Sequence, residues 1–133
     1  MALSHKCKYC ISAYQFSDRV ILRNDHWIGV YDKHPVSPGH MKLVSRRHRK
    51  SFDNLSIPEM IAFFEILKRA KTLIRSERHP RGWNIGINEG RVAGQTVMHL
   101  HIHLIPRYKG DVADPTGGVR TILTGGNYLK PKT

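Results

Sequence analysis

The seven residues His99-Leu100-His101-Ile102-His103-Leu104-Ile105 constrain this chain more than any other stretch. Strict alternation of apolar and polar residues is the signature of a half-buried β-strand, because successive side chains point to opposite faces. Leu100, Ile102 and Leu104 are therefore expected to face a core. His99, His101 and His103 are expected in a row on the other face, about 7 Å apart. Each imidazole titrates near neutrality and can serve as nucleophile, general acid or metal ligand. Half-exposed surface histidines and a three-histidine metal site are the alternatives. The second is disfavoured because neighbouring same-face positions on one flat strand do not converge on a tetrahedral ion.

The remaining pattern fits one domain built around that strand. At 133 residues the chain is long enough to bury its own core. Arg19 to Arg23 and Trp27 to Tyr31 are apolar or β-branched runs separated by Asn24-Asp25, which reads as a hairpin. Pro35, Pro38 and Gly39 mark a loop, and His40 to Ser45 is a third strand. Ser56-Ile57-Pro58-Glu59 has the form of a capping box. After it, Ile57, Met60, Ile61, Phe64, Leu67 and Ile74, broadened by Phe63, Ala70 and Leu73, predict a core-packing helix to about Arg75 or Ser76, ending before His79-Pro80. Trp83 to Asn88 reads as a fourth strand, Glu89 to Gly94 as a polar turn, and Val97 to Pro106 as the histidine strand. Residues 1–110 are taken as the domain and 111–133 as a basic, Gly-rich tail with little regular structure.

Charge and cysteines narrow the partners. Lys and Arg total 22 against 10 acidic residues, a net charge of +12. Such a field attracts nucleic acid, acidic membrane surfaces or phosphorylated metabolites without choosing among them. No run of about 18 apolar residues exists and residues 1–14 lack a signal-peptide core, so a cytoplasmic protein without a membrane partner is expected. Cys7 and Cys10 form a Cys-x-x-Cys pair with no strand before it, which favours a metal site over a redox motif.

His99 to Ile105 matches the His-φ-His-φ-His-φ-φ signature (φ apolar) of the histidine triad family. Gly94-Gln95-Thr96-Val97 before it and Pro106-Arg107 after it are similar to the fragile histidine triad branch; Pro38-Gly39-His40 resembles the segment carrying that family's fourth histidine. The resemblance implies an α+β fold: an antiparallel sheet of about five strands with one long helix and a short helix, forming a homodimer. It implies cleavage of a nucleotide's α-phosphate bond through a nucleotidyl-histidine, with dinucleoside polyphosphates or nucleoside phosphoramidates of adenine as substrates. His101 would be the nucleophile, His103 the proton donor to the leaving group, and His40 their support. Asp32 would hold the ribose hydroxyls, and Asn88, Gly94, Gln95, Thr96 and His103 would contact the phosphate. Asn88 stands where the fragile histidine triad branch has Gln, which leaves the leaving group open. Members with a Cys-x-x-Cys pair imply a structural zinc on Cys7, Cys10, His48 and His99; no catalytic metal motif is evident. A nucleotide-binding regulatory protein is a second reading. Removal of adenylate from nucleic-acid ends is a third, so nucleic acid is a less favoured partner.

Overall fold

The structure is a computed structural model, and it describes residues 7–10 and 18–123. Six regular elements follow one another: β1 (Val20–Arg23), β2 (Trp27–Tyr31), β3 (Met41–Ser45), α1 (Ile57–Arg78), β4 (Gly82–Gly86) and β5 (His101–Arg107). The strands form one antiparallel sheet in the order β1-β2-β3-β5-β4. The expected α+β class holds, with one long helix. The other helical segments among the described residues are 3-10 turns at Phe52–Asn54, Arg91–Ala93 and Gly118–Thr121, the last lying in the expected tail. The rest of that tail, 124–133, lies outside the described residues.

Local chemistry explains the boundaries. Asn24 closes the β1–β2 turn, its Oδ1 accepting from the amides of His26 and Trp27. Ser56 caps α1 by accepting from the Glu59 amide, and the Glu59 carboxylate accepts in turn from the Ser56 amide. The helix runs past the expected stop to Arg78. His79 then takes the left-handed conformation, and its amide donates to the Arg75 carbonyl.

The core lies between α1 and one face of the sheet. Trp27, Met41, Leu43, Ile102 and Leu104 meet Phe63, Ile66, Ala70 and Ile74. This corrects the predicted helix stripe, because Ile57, Met60, Ile61 and Phe64 are exposed. The helix is apolar over a wider arc than one face can bury, and two polar contacts fix its rotation. Trp27 Nε1–H donates to the Glu59 carbonyl at 2.8 Å, and Arg49 holds the buried Glu59 carboxylate at 3.0 Å. Gly39 lets the turn before β3 pass the helix: its φ is +85°, and a Cβ there would sit 3.2 Å from the Ile74 side chain.

Two strands are shorter than the sequence suggests. β4 ends at Gly86, and β5 begins at His101. Within β5 the predicted alternation is kept: His101, His103 and Ile105 are half-buried, while Ile102, Leu104 and Pro106 are buried.

Candidate active site

The face of the sheet away from α1 carries the polar site. In the β3–β5 register Val44 lies opposite His101 and Lys42 opposite His103; on β2, Ile28 and Val30 continue the row. Ile28, Val30 and Val44 form a small buried apolar cluster against which Val20 and Tyr9 pack. This face thus has an apolar floor on β2 and β3, buried under Tyr9 and Val20, and imidazoles on β5.

Hydrogen bonds assign the tautomers. His101 Nδ1 lies 2.8 Å from the His99 carbonyl, so Nδ1 carries the proton and Nε2 keeps its lone pair. The Val36 amide donates to His40 Nδ1 at 3.2 Å, which leaves the proton of neutral His40 on Nε2. His40 Nε2–H in turn donates to His103 Nδ1 at 2.9 Å. The proton of His103 then sits on Nε2. The two triad imidazoles, 5.2 Å apart and nearly perpendicular, thus differ in kind: His101 offers a lone pair and His103 a donor.

Electrostatics keep these rings neutral. Burial, with repulsion from His101 and His40, holds His103 at about 4. Burial also lowers His101 and His40, against the His99 carbonyl in the first case and Asp32 in the second. Asp32 sits at the end of β2, with Oδ1 accepting from the His34 amide at 2.8 Å and Oδ2 3.5 Å from His40 Nε2. Burial favours its protonated form, but the His34 amide, Lys42 and the two histidines outweigh that and keep the carboxyl below its ordinary range.

The loop between β4 and β5 departs from expectation at one residue. Gly90 and Gly94 have φ of +87° and +92°, the glycine turn the sequence suggested. Asn88, Gly94 and Thr96 are exposed. Gln95 is instead buried: its Oε1 accepts from the Gly90 amide at 2.8 Å and its Nε2 donates to the Lys50 and Val97 carbonyls. A carboxamide used up on the backbone braces the loop and is not a phosphate donor.

His99 is the other correction. It precedes β5 and is fully buried, where the alternation suggested a half-exposed member of the strand, and Tyr9 meets it edge-on as it meets His101. Its Nε2 donates to the Ser45 carbonyl at 2.7 Å, which leaves Nδ1 as an acceptor aimed at the N-terminal cysteines. Burial drops the ring to about 4, so it is neutral. Cys7 Sγ lies 3.3 Å and Cys10 Sγ 3.7 Å from His99 Nδ1; Cys10 Sγ lies 3.3 Å from His48 Nδ1. The ligand atoms of Cys7, Cys10, His48 and His99 all fall within 4.8 Å of one another. Around tetrahedral Zn²⁺ a thiolate sulfur and an imidazole nitrogen are roughly 3.5 Å apart, so this donor set fits zinc in distance and in type. Asp32, His40 and His103 also cluster. There the Val36 amide puts the His40 proton on the nitrogen a metal would need, so that group reads as a hydrogen-bonded relay.

Two residues of the site are not among those the sequence pattern singled out. Tyr9 meets His101 edge-on, with ring centres 4.9 Å apart, and Lys42 donates to its hydroxyl at 2.8 Å. The signal for Lys42 was its place two residues after His40, on the same face of an extended segment.

A five-stranded antiparallel sheet with paired histidines on β5, between β3 and β4, and one long helix behind defines the class, and sequence comparison agrees. The HIT domain matches residues 14–110, so the chain belongs to the HIT (histidine triad) family. It is 34% identical over 106 residues to an uncharacterized HIT-like protein of Methanocaldococcus jannaschii, covering 79% of this chain and 81% of that one. It is 32% identical over 101 residues to the AP-4-A phosphorylase of Mycobacterium tuberculosis, covering 73% of this chain and 52% of that protein, about half its length. Among solved structures, a zinc-bound histidine triad family protein of Mycobacterium smegmatis superposes with a TM-score of 0.71 at 26% identity, covering 82% of this chain and 80% of that one. Among the described residues no helix is long and apolar enough to cross a membrane.

Proposed function

We propose that this chain is a nucleotidyl hydrolase or transferase that cleaves the α-phosphate bond of dinucleoside polyphosphates or nucleoside phosphoramidates, with adenine nucleotides as substrates. The observation that carries it is the pairing of a lone pair on His101 Nε2 with a donor on His103 Nε2. In the first step His101 Nε2 attacks the α-phosphorus and the bond to the leaving group breaks. The leaving oxygen departs as an anion that accepts a hydrogen bond from His103 Nε2–H, a leaving amine takes its proton from water, and His40 Nε2–H, donating to His103 Nδ1, positions that donor. Water then displaces His101 from phosphorus, gives its proton to the solvent and releases the nucleotide, leaving the histidines as they began. Splitting one displacement into two lowers each barrier.

The other residues assist this chemistry. Thr96, Asn88 and the Gly94 backbone, exposed in the loop between β4 and β5, are the proposed donors to the phosphoryl oxygens. Asp32 accepts from the ribose hydroxyls at the end of β2, beside the apolar floor. Gln95 keeps the loop in shape. A zinc ion on Cys7, Cys10, His48 and His99 supplies structural cross-linking and no step of the reaction. The protein works as a homodimer, and the exposed Ile57, Met60, Ile61 and Phe64 on α1 support that assembly.

The experiment is turnover of diadenosine tetraphosphate and of adenosine phosphoramidate by the wild type and by His101→Ala. AMP release by the wild type, reduced at least about a hundredfold in the variant, is expected. Equal rates in both proteins would overturn the mechanism, and the preferred substrate identifies the leaving group.

A further inference from the structure

Lys42 is a buried lysine that the reaction as written leaves unused. Its side chain is 5% exposed, on the face that carries the histidines. Its ammonium donates to the Tyr9 hydroxyl at 2.8 Å and lies 4.4 Å from that ring's centre. No carboxylate of the described residues forms an ion pair with it. Asp32, whose carboxyl Lys42 helps to hold low, acts on it from beyond ion-pair distance. A buried cation with no counter-anion in contact is costly, and the cost is offset when an anion binds beside it.

Its surroundings specify the anion. Lys42 stands between His103 on β5 and Val30 on β2, so it lies where the imidazoles give way to the apolar floor. A nucleotide with its phosphorus at His101 has its α-phosphate beside the row in which Lys42 faces His103, next to the Val44–His101 pair. His103, opposite Lys42, does not supply the countercharge, because burial and repulsion from its neighbours hold it low. Gln95, one of the side chains expected to donate there, is committed to the backbone.

Building on the function proposed above, we infer that Lys42, held by the Tyr9 hydroxyl, is the cation that binds the nucleotide's α-phosphate. A charge fixed in a partly dry site stabilises an anion without reorganisation, and more strongly than it would in water. Tyr9 is a positioning residue, since its hydroxyl anchors the ammonium and its ring lies against His101.

The test compares AMP with adenosine, which lacks the phosphate, by calorimetric titration of the wild type, Lys42→Met, Lys42→Arg and Tyr9→Phe. Lys42→Met is expected to bind AMP about tenfold or more weakly, the usual loss for a hydrogen bond to a charged group, with adenosine affinity unchanged. Retained adenosine binding also shows that the variant is folded. Lys42→Arg should keep most of the AMP affinity, and Tyr9→Phe should lose a smaller part of it. Unchanged AMP affinity in Lys42→Met, or equal losses for AMP and adenosine, would overturn the inference. Turnover separates this result from the proposed function. A wild type that releases AMP in a His101-dependent way, while Lys42→Met binds AMP normally, refutes Lys42 alone. A wild type that neither binds AMP nor turns over refutes both.

Discussion

His101 Nδ1 donates to the backbone carbonyl of His99, 2.8 Å away, so the residue that anchors the N-terminal cysteines also sets the tautomer of the proposed nucleophile. The same residue offers its own Nδ1 to Cys7 and Cys10 and its Nε2–H to the Ser45 carbonyl. The cysteine cluster and the triad are therefore mechanically continuous through two residues of backbone.

Metal removal is the first prediction. The purified protein should carry about one zinc per chain by elemental analysis, and Cys10→Ser should lose it. A ligand held at about a thousand times its Kd stabilises the native state by about 4 kcal/mol, so chelation should lower Tm by several degrees. A Tm unchanged by chelator in a protein that had contained zinc would remove the structural role.

The second prediction concerns pH. His103 is held at about 4 in the fold against about 6.5 when unfolded, so the unfolded chain binds more protons between those values. Stability should therefore be complete above about pH 6.5 and fall as pH drops towards 4. The contribution of this residue is about 1–3 kcal/mol. Urea denaturation at several pH values should show a shallower slope for His103→Gln than for the wild type. Parallel slopes would contradict the assignment.

Glu59 gives the third. It is 1% exposed, completes the capping box and accepts from Arg49, while the Arg49 carbonyl accepts from the Leu100 amide at 2.6 Å. Burial alone would favour its protonated form, but Arg49 and Ser56 keep it ionised. Glu59→Gln leaves Arg49 without its counter-charge and should cost about 3 kcal/mol in denaturant unfolding. The loss should exceed that of the exposed Glu65→Gln, whose partner Arg69 is equally exposed.

The last concerns assembly. Phe64 is 68% and Ile61 67% exposed on α1. Ile61→Lys with Phe64→Lys should convert a dimer into a monomer in sedimentation velocity, without loss of helical circular dichroism. A wild type that sediments as a monomer at micromolar concentration would contradict the dimer.

The sequence by itself determined what local rules govern. Period-two alternation placed His101 and His103 on one face of β5, because a strand has no other way to orient them. The capping box at Ser56 fixed where α1 begins, and the Asn24 turn fixed the first hairpin. Where the strand starts was not legible. His99 fits the alternation, yet backbone pairing begins at His101, and His99 is buried against Ser45 and the cysteines. The face α1 presents was also undetermined, since the helix is apolar over too wide an arc for periodicity to choose; Trp27 and Arg49 chose it. Only the tertiary structure brought His40 to His103 across 63 residues, and Lys42 opposite the same histidine. Both follow from β3 and β5 being neighbours, and strand order is set by the packing of the whole sheet on its helix, not by any residue's local preference.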